Sequence, residues 1–302
     1  MSPVPLTYLF DFELIGDSLR PYVMHEFAAN GAKHLVLSGP LISQIMQAPA
    51  LQKTLLREIE AEGLSFLDAH APSDPYFDIN SPVQAERPQI LARLKLAFRI
   101  AADMGMKTIT VHVGNEPFQP GFPLEVQFDC VRSALAELLP CAESLGLILC
   151  IENIYYQLNT PERLLALKKE FSSDFLGLCY DSGHANLMDN GRRFPESEVF
   201  AMWGSIPPRF DDRILEKMLP HVVNCHLHDN DGVSDSHRMP GRGSVNWKHI
   251  TDLLSQAPRL QVIQSEVHMI RSGDSIREVC EAFRKLGLDK IQGMRDERRE
   301  KK

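Results

Sequence analysis

The chain has 302 residues, 44% of them hydrophobic, and a formal net charge of −8. That length can bury a large core, as two domains or as one α/β barrel of about 250 residues. The negative charge excludes a general attraction to polyanions, so nucleic acid is disfavoured as a partner unless a local basic face exists. The opening MSPVPLTYLF has no basic or signal-like start, and no apolar run approaches about 18 residues, which predicts a cytoplasmic protein with no membrane partner. Cys130, Cys141, Cys150, Cys179, Cys225 and Cys280 lack CxxC spacing; four sit in apolar runs, where reduced buried thiols are expected.

Taken in order, the chain alternates short apolar runs with helical periodicity. Leu6 to Phe12 reads as a first strand, followed by a helix from about Ser18 to Asn30. His34 to Leu37 is a second strand that breaks at Ser38-Gly39-Pro40; a helix through Leu51, Leu55, Leu56 and Ile59 follows, its apolar residues sharing a face. Leu64 to Leu67 is a third strand, ending in Asp68-Ala69-His70-Ala71-Pro72. An amphipathic helix (Ile90, Leu94, Ala97, Phe98, Ala101) leads to a fourth strand, Thr108 to Val113, with His112 near its end. Val131, Ala134, Leu135, Leu138 and Ala142 mark the next helix.

Four further strands follow. Leu147 to Ile151 ends in Glu152-Asn153, and Phe175 to Tyr180 ends in Asp181-Ser182-Gly183-His184. The stretch His221 to Trp247 opens on the β-branched pair Val222 and Val223 and closes on Pro240-Gly241-Arg242-Gly243. His226, His228, Asp229, Asp231, Asp235 and His237 lie between them. Leu260 to Ser265 ends in Glu266-Val267-His268, and a helix through Ile276, Val279, Cys280 and Phe283 closes the pattern. Met188 to Arg209, with Trp203 and Pro207-Pro208, is long enough for a lid, an extra short helix over one face, or an ordinary surface insertion.

Eight strands alternating with helices predict parallel pairing and right-handed crossovers, closing into an α/β fold of the (β/α)₈ TIM-barrel type. Residues 1–290 are expected to form a single domain and 291–302 a charged C-terminal tail. In such a barrel functional groups gather at the C-terminal ends of the strands. Strands three to eight each carry a ligand-type residue there: His70, His112, Glu152, Asp181 with His184, His226 with Asp235 and His237, and Glu266. Any one of them has a plain structural explanation. Together, an apolar mouth filled with unpaired acids would be costly, and a divalent cation removes that cost. Imidazole and carboxylate are its usual donors.

The motifs HAP at His70, VHVG around His112, IEN at Glu152, YDSGHA at Asp181, HLHDNDG at His226, DSH at Asp235, PGRG at Pro240 and SEVH at Glu266 resemble the xylose isomerase-like barrel superfamily. The resemblance runs from about Leu6 to Gly287. It implies carbohydrate chemistry: a metal-dependent isomerase or epimerase of a small sugar, sugar phosphate or polyol. One divalent ion (Mn, Zn, Co or Mg) would be held by Glu152, Asp181, His226 and Glu266, and the two glutamates would move a proton through a metal-stabilised enediolate. His70, His112, His184, His228, His237 and Arg242 are the expected substrate contacts, Arg242 as a phosphate binder; His228 and His268 are expected beside the ligands. A homo-oligomer is compatible with this branch.

The same superfamily includes inosose dehydratase-type lyases and the zinc-dependent endonuclease IV family of abasic-site nucleases. The nuclease branch implies three zinc ions. Their ligands would be His70, His112 and Glu152; Asp181, His226 and Glu266 with Glu152 bridging; and His184, Asp235 and His237. Ser73-Asp74-Pro75 after HAP, the absence of a basic residue within DSH, and PGRG in place of a glycine-glutamate-glycine turn depart from the nucleases.

Overall fold

A computed structural model describes residues 3–189, 197–204, 206–288 and 291. Eight parallel strands close into a barrel in sequence order: β1 (Leu6–Tyr8), β2 (His34–Leu37), β3 (Ser65–His70), β4 (Thr108–Val111), β5 (Ile148–Glu152), β6 (Leu176–Asp181), β7 (Val222–Leu227) and β8 (Val262–Ser265). The expected (β/α)₈ topology is present. Beyond Ile291, which is buried and accepts from Val4 N, the expected charged tail lies outside the described residues, as does part of the Met188 to Arg209 segment.

Among the boundaries that differ from the sequence reading, three change the chemistry of the strand ends. β1 stops at Tyr8, and Phe12–Leu14 is a single 3₁₀ turn. Ser38-Gly39-Pro40 begins a helix: the Ser38 hydroxyl accepts from Leu41 N, proline sits in the first turn where its missing N–H costs nothing, and the helix runs Gly39–Gln47. A second helix, Ala50–Ala61, follows at once. β3 extends through Asp68 to His70, because those residues pair with their neighbours instead of turning away.

Register decides what faces inward. Residues paired across a parallel ladder share a face, as do residues two apart on one strand. His70 pairs with Thr110, Thr110 with Cys150, Glu152 with Cys179, Asp181 with His226, and His226 with Gln264. Two-residue steps from Cys150 to Glu152 and from Cys179 to Asp181 keep the series on one face. That face is the barrel interior, polar apart from a small buried cluster of Cys150, Cys179 and Val223. Below the mouth Thr108 Oγ1 donates to Asp68 Oδ1 (2.5 Å), while Asn224 Nδ2 donates to Asp68 Oδ2 (2.8 Å) and to Thr110 Oγ1 (3.1 Å).

The opposite faces carry Ile109, Val111, Leu149, Ile151, Leu178, Leu227 and Ile263, all buried, which join Leu94, Phe98, Leu135 and Leu164 of the surrounding helices in one apolar cluster. The main core is therefore the annulus between barrel and helices. The six cysteines are free thiols, five of them buried. Among the described residues no helix is long and apolar enough to cross a membrane.

Candidate metal centre

At the C-terminal ends of the strands the mouth opens into a cavity of about 730 Å³. His70, His112, Glu152, His184, Asp235, His237 and Glu266 line it. Asp181, His226 and His228 are fully buried and do not line it. Arg242 is not brought to this mouth. It is exposed on a turn outside the cavity, because Gly241 and Gly243 fold that turn back onto the Asp229 side of the β7 loop.

Glu152 is the hub. Its Oε2 lies 3.6 Å from His70 Nε2 and 3.5 Å from His112 Nε2; its Oε1 lies 3.2 Å from His184 Nδ1 and 3.5 Å from His226 Nδ1. His226 Nδ1 is also 3.3 Å from Glu266 Oε2. Glu152, Asp181, His226 and Glu266 each offer a donor atom within 4.8 Å of the others, as do the sets His70, His112, Glu152 and His184, His228, Asp235, His237.

Three imidazoles are fixed by their second nitrogen. Nδ1–H donates to a backbone carbonyl in His70 (Ala71 O, 2.7 Å), His184 (Asn153 O, 3.0 Å) and His237 (Glu266 O, 2.9 Å). Each Nε2 then faces a carboxylate, Glu152 for His70 and Asp235 for the other two. This is how proteins orient histidine toward a metal. His237 reaches its place from a left-handed backbone (φ 43°), stacked on His228 at 3.8 Å. His228 Nε2 in turn donates to Asp181 Oδ1 (3.1 Å), so it supports a candidate ligand from beneath. A side chain at Gly183 would meet the His228 ring at 1.9 Å, which is why glycine stands there.

Burial works against charge throughout this cluster; close opposite charges prevail at most of its groups, whereas burial keeps His112 low. Burial raises Glu152, but the imidazoles of His226, His112 and His184 hold it well below the usual carboxylate range. Glu266 is held low against burial by His226, and Asp235 by His184 and His237. Conversely, Asp181 and Asp235 raise His184 despite burial, and Asp235 lifts His237 to about 9. Burial and the neighbouring His237 push His268 down to about 4; its Nδ1 sits 3.4 Å from Asp11 Oδ1. The imidazoles facing the acids thus offset their charge.

A divalent cation would take over that balancing role and release the protons, since only neutral imidazole ligates. The residues fit one. Glu152 Oε2, Asp181 Oδ2, His226 Nδ1 and Glu266 Oε2 are buried without a hydrogen-bond partner, and so are His112 Nδ1 and Asp235 Oδ1. Mixed oxygen and nitrogen donors suit Zn²⁺, Mn²⁺ or Co²⁺ better than the all-oxygen shells of Ca²⁺.

Two acids of the His221 to Trp247 stretch serve the loop itself. Asp229 accepts from Gly241 N, Val245 N and Trp247 Nε1 (2.9, 3.1 and 2.9 Å), and Asp231 caps the turn at Val233 and Ser234. Sequence reasoning overlooked Asn153, whose side chain clasps the Asp181 backbone from both sides (Nδ2 to O 3.0 Å, N to Oδ1 2.8 Å). It overlooked the Asp68–Asn224 pair beneath His226 as well. Their two-residue spacing from His70 and His226 was the available signal. The cavity-lining Phe118, Tyr155, Tyr156 and Arg271 carried no motif to mark them.

A closed barrel with such a cluster at its strand ends defines a (β/α)₈ protein with a candidate His/Glu metal site. The family model described as xylose isomerase-like TIM barrel matches residues 28–288, and the chain belongs to that family. It is 26% identical to an uncharacterised protein of Methanocaldococcus jannaschii over 223 residues, 72% of this chain and 70% of that one. Among solved structures, a D-tagatose 3-epimerase-like protein superposes with a TM-score of 0.72 at 20% identity, covering 94% of this chain and 96% of its own. The IolI protein with a bound zinc atom gives 0.68 at 16% identity, covering 96% and 100%.

Proposed function

We propose that this protein is a divalent-metal-dependent isomerase or epimerase of a small ketose or polyol. The observation that carries the reading is the convergence of Glu152, Asp181, His226 and Glu266, with partnerless donor atoms, at one end of the barrel. The bound cation would polarise two adjacent substrate oxygens and so acidify the C–H between them. Glu152 and Glu266, ends of β5 and β8, face His226 Nδ1 at 3.5 and 3.3 Å, so both carboxylates reach the same small volume. One, anionic, takes the proton and leaves an enediolate. The other, entering the cycle as the carboxylic acid after taking a proton from solvent, returns that proton to the opposite face, inverting the centre; return to the neighbouring carbon by the first gives isomerisation. In the two-carboxylate route the proton taken and the proton given differ, so carbon-bound hydrogen exchanges with solvent; in the one-carboxylate route it exchanges whenever the acid proton meets water before its return. His184, Asp235 and His237 line the cavity within reach of substrate hydroxyls.

A panel of ketoses and inososes followed by NMR in heavy water, with protein loaded with Mn²⁺, Co²⁺, Mg²⁺ or Zn²⁺, tests this. The name of the D-tagatose 3-epimerase-like structure argues for starting with ketoses. Deuterium at the carbon beside the carbonyl is the expected result.

The second donor set, His184, His228, Asp235 and His237, favours one other reading, the three-zinc nuclease. The rim opposes it: Asp11, Glu13 and Asp74 line the mouth, and Arg271 is its sole lysine or arginine among the described residues. No exchange or elimination on any sugar, together with incision of an abasic-site duplex that His237→Ala abolishes, overturns the isomerase reading in favour of the nuclease.

A further inference from the structure

The cavity is large for a single sugar. Counting each C–O unit of a hexose at about 30 Å³, the liquid volume of one water, a hexose needs roughly 180 Å³. The mouth offers about 730 Å³. Beside the donors stands an aromatic wall. Tyr155 lies 5.4 Å from the His184 ring and 4.9 Å from the Tyr156 ring, and Phe118, from the preceding loop, lines the same cavity with 42% of its surface exposed.

The wall is built, not incidental. The buried Asn159 Nδ2 donates to Gly114 O (2.8 Å), and Leu158 N donates to the Glu116 carboxylate, so the loops after β4 and β5 are strapped together. Trp203 Nε1 donates to Tyr155 O (2.9 Å) and fixes the backbone that carries the tyrosines. Rigid aromatic faces cost little ordering entropy on binding and pack against the C–H face of a sugar ring, while tyrosine hydroxyls serve its oxygens. The acids of the rim disfavour a phosphate as the extra group.

We propose that Phe118, Tyr155 and Tyr156 form a subsite for a second, neutral ring, so that the substrate is a glycosylated ketose. This rests on the isomerase reading for the position of the reacting sugar. D-Fructose and three glucosyl-fructoses linked at different oxygens (isomaltulose, leucrose, maltulose) are titrated calorimetrically into Mn²⁺-loaded protein, and hydrogen exchange is followed in parallel. At least one glucosyl-fructose should bind tenfold or more tightly than fructose. Phe118→Ala and Tyr156→Ala should each weaken that binding by roughly three- to tenfold, the range of one aromatic contact, and leave fructose binding unchanged. Fructose binding as tightly as all three, no binding of any glucosyl-fructose, or an equal loss for both ligands in the variants overturns the subsite. Preferential binding without exchange on any ketose refutes the proton-transfer reading while the subsite stands.

Discussion

Replacing Glu152 by glutamine keeps the side chain's size and removes the charge that both halves of the cluster share. Each oxygen faces two imidazoles, at 3.6 and 3.5 Å on one side and 3.2 and 3.5 Å on the other, so no neighbour can take over. Loss of a group that merely orients a ligand weakens metal binding by about 10–100-fold; loss of the ligand itself belongs at or beyond the upper end. At a metal concentration about 100 times the wild-type Kd, binding stabilises the fold by about 2.7 kcal/mol, which a 100-fold weaker variant reduces to about 0.4 kcal/mol. At about 2 °C per kcal/mol for a large domain, the metal-induced rise in Tm should fall from about 5 °C to about 1 °C. Thermal unfolding with and without chelator reads this directly. Turnover should drop by about 10²–10⁴-fold through loss of the proton carrier. A variant that keeps both the wild-type metal-induced shift and its turnover refutes the placement of Glu152 at the centre.

Glu116 is raised to about 7 by burial, against the help of its own and the Leu158 N–H. The folded state therefore holds its proton longer than the unfolded chain does. Its contribution is fully present below the unfolded carboxylate value and is lost as pH rises to about 7; Glu116→Gln, which can keep the Leu158 contact, should raise Tm at pH 8 and change little at pH 4. Gly183→Ala drives a methyl into the His228 ring and should cost about 1–3 kcal/mol in urea unfolding, with weaker metal retention; an unaffected midpoint contradicts the packing described. Arg242→Ala, on its exposed turn, should stay within about 0.5 kcal/mol of wild type and leave kcat/KM unchanged.

Most of the barrel was legible because each strand is a short apolar run bounded by turn residues, and the ligand types stand one after another at the ends of six of them. Boundaries were less so. Ser38-Gly39-Pro40 has the composition of a break and the chemistry of a helix start, and only the Ser38 cap decides between them. Asp68 and Asn224 read as polar interruptions of strands; the closed register turns them into an inner layer whose partners are remote in sequence. Arg242 looked like a phosphate binder because its position along the chain was right, whereas the Asp229 contacts that turn its loop away are long-range. The aromatic wall was invisible for the same reason: Phe118 and Tyr155 come to line one cavity only because the loops that carry them are strapped together.

The polar interior has a consequence for how such a chain can change. What holds the molecule together is the annulus of Val111, Leu149, Ile151, Leu178 and Leu227 against the helices, while the donors occupy a separate inner cylinder. Substitutions at the mouth therefore leave the cohesive layer untouched, and innovation at one end of the barrel is largely decoupled from fitness of the scaffold. A lineage can trade one wall residue of the open mouth for another while the apolar annulus keeps its packing, whereas a buried donor such as Glu152 is harder to replace, because its neighbours' charges are then left uncompensated.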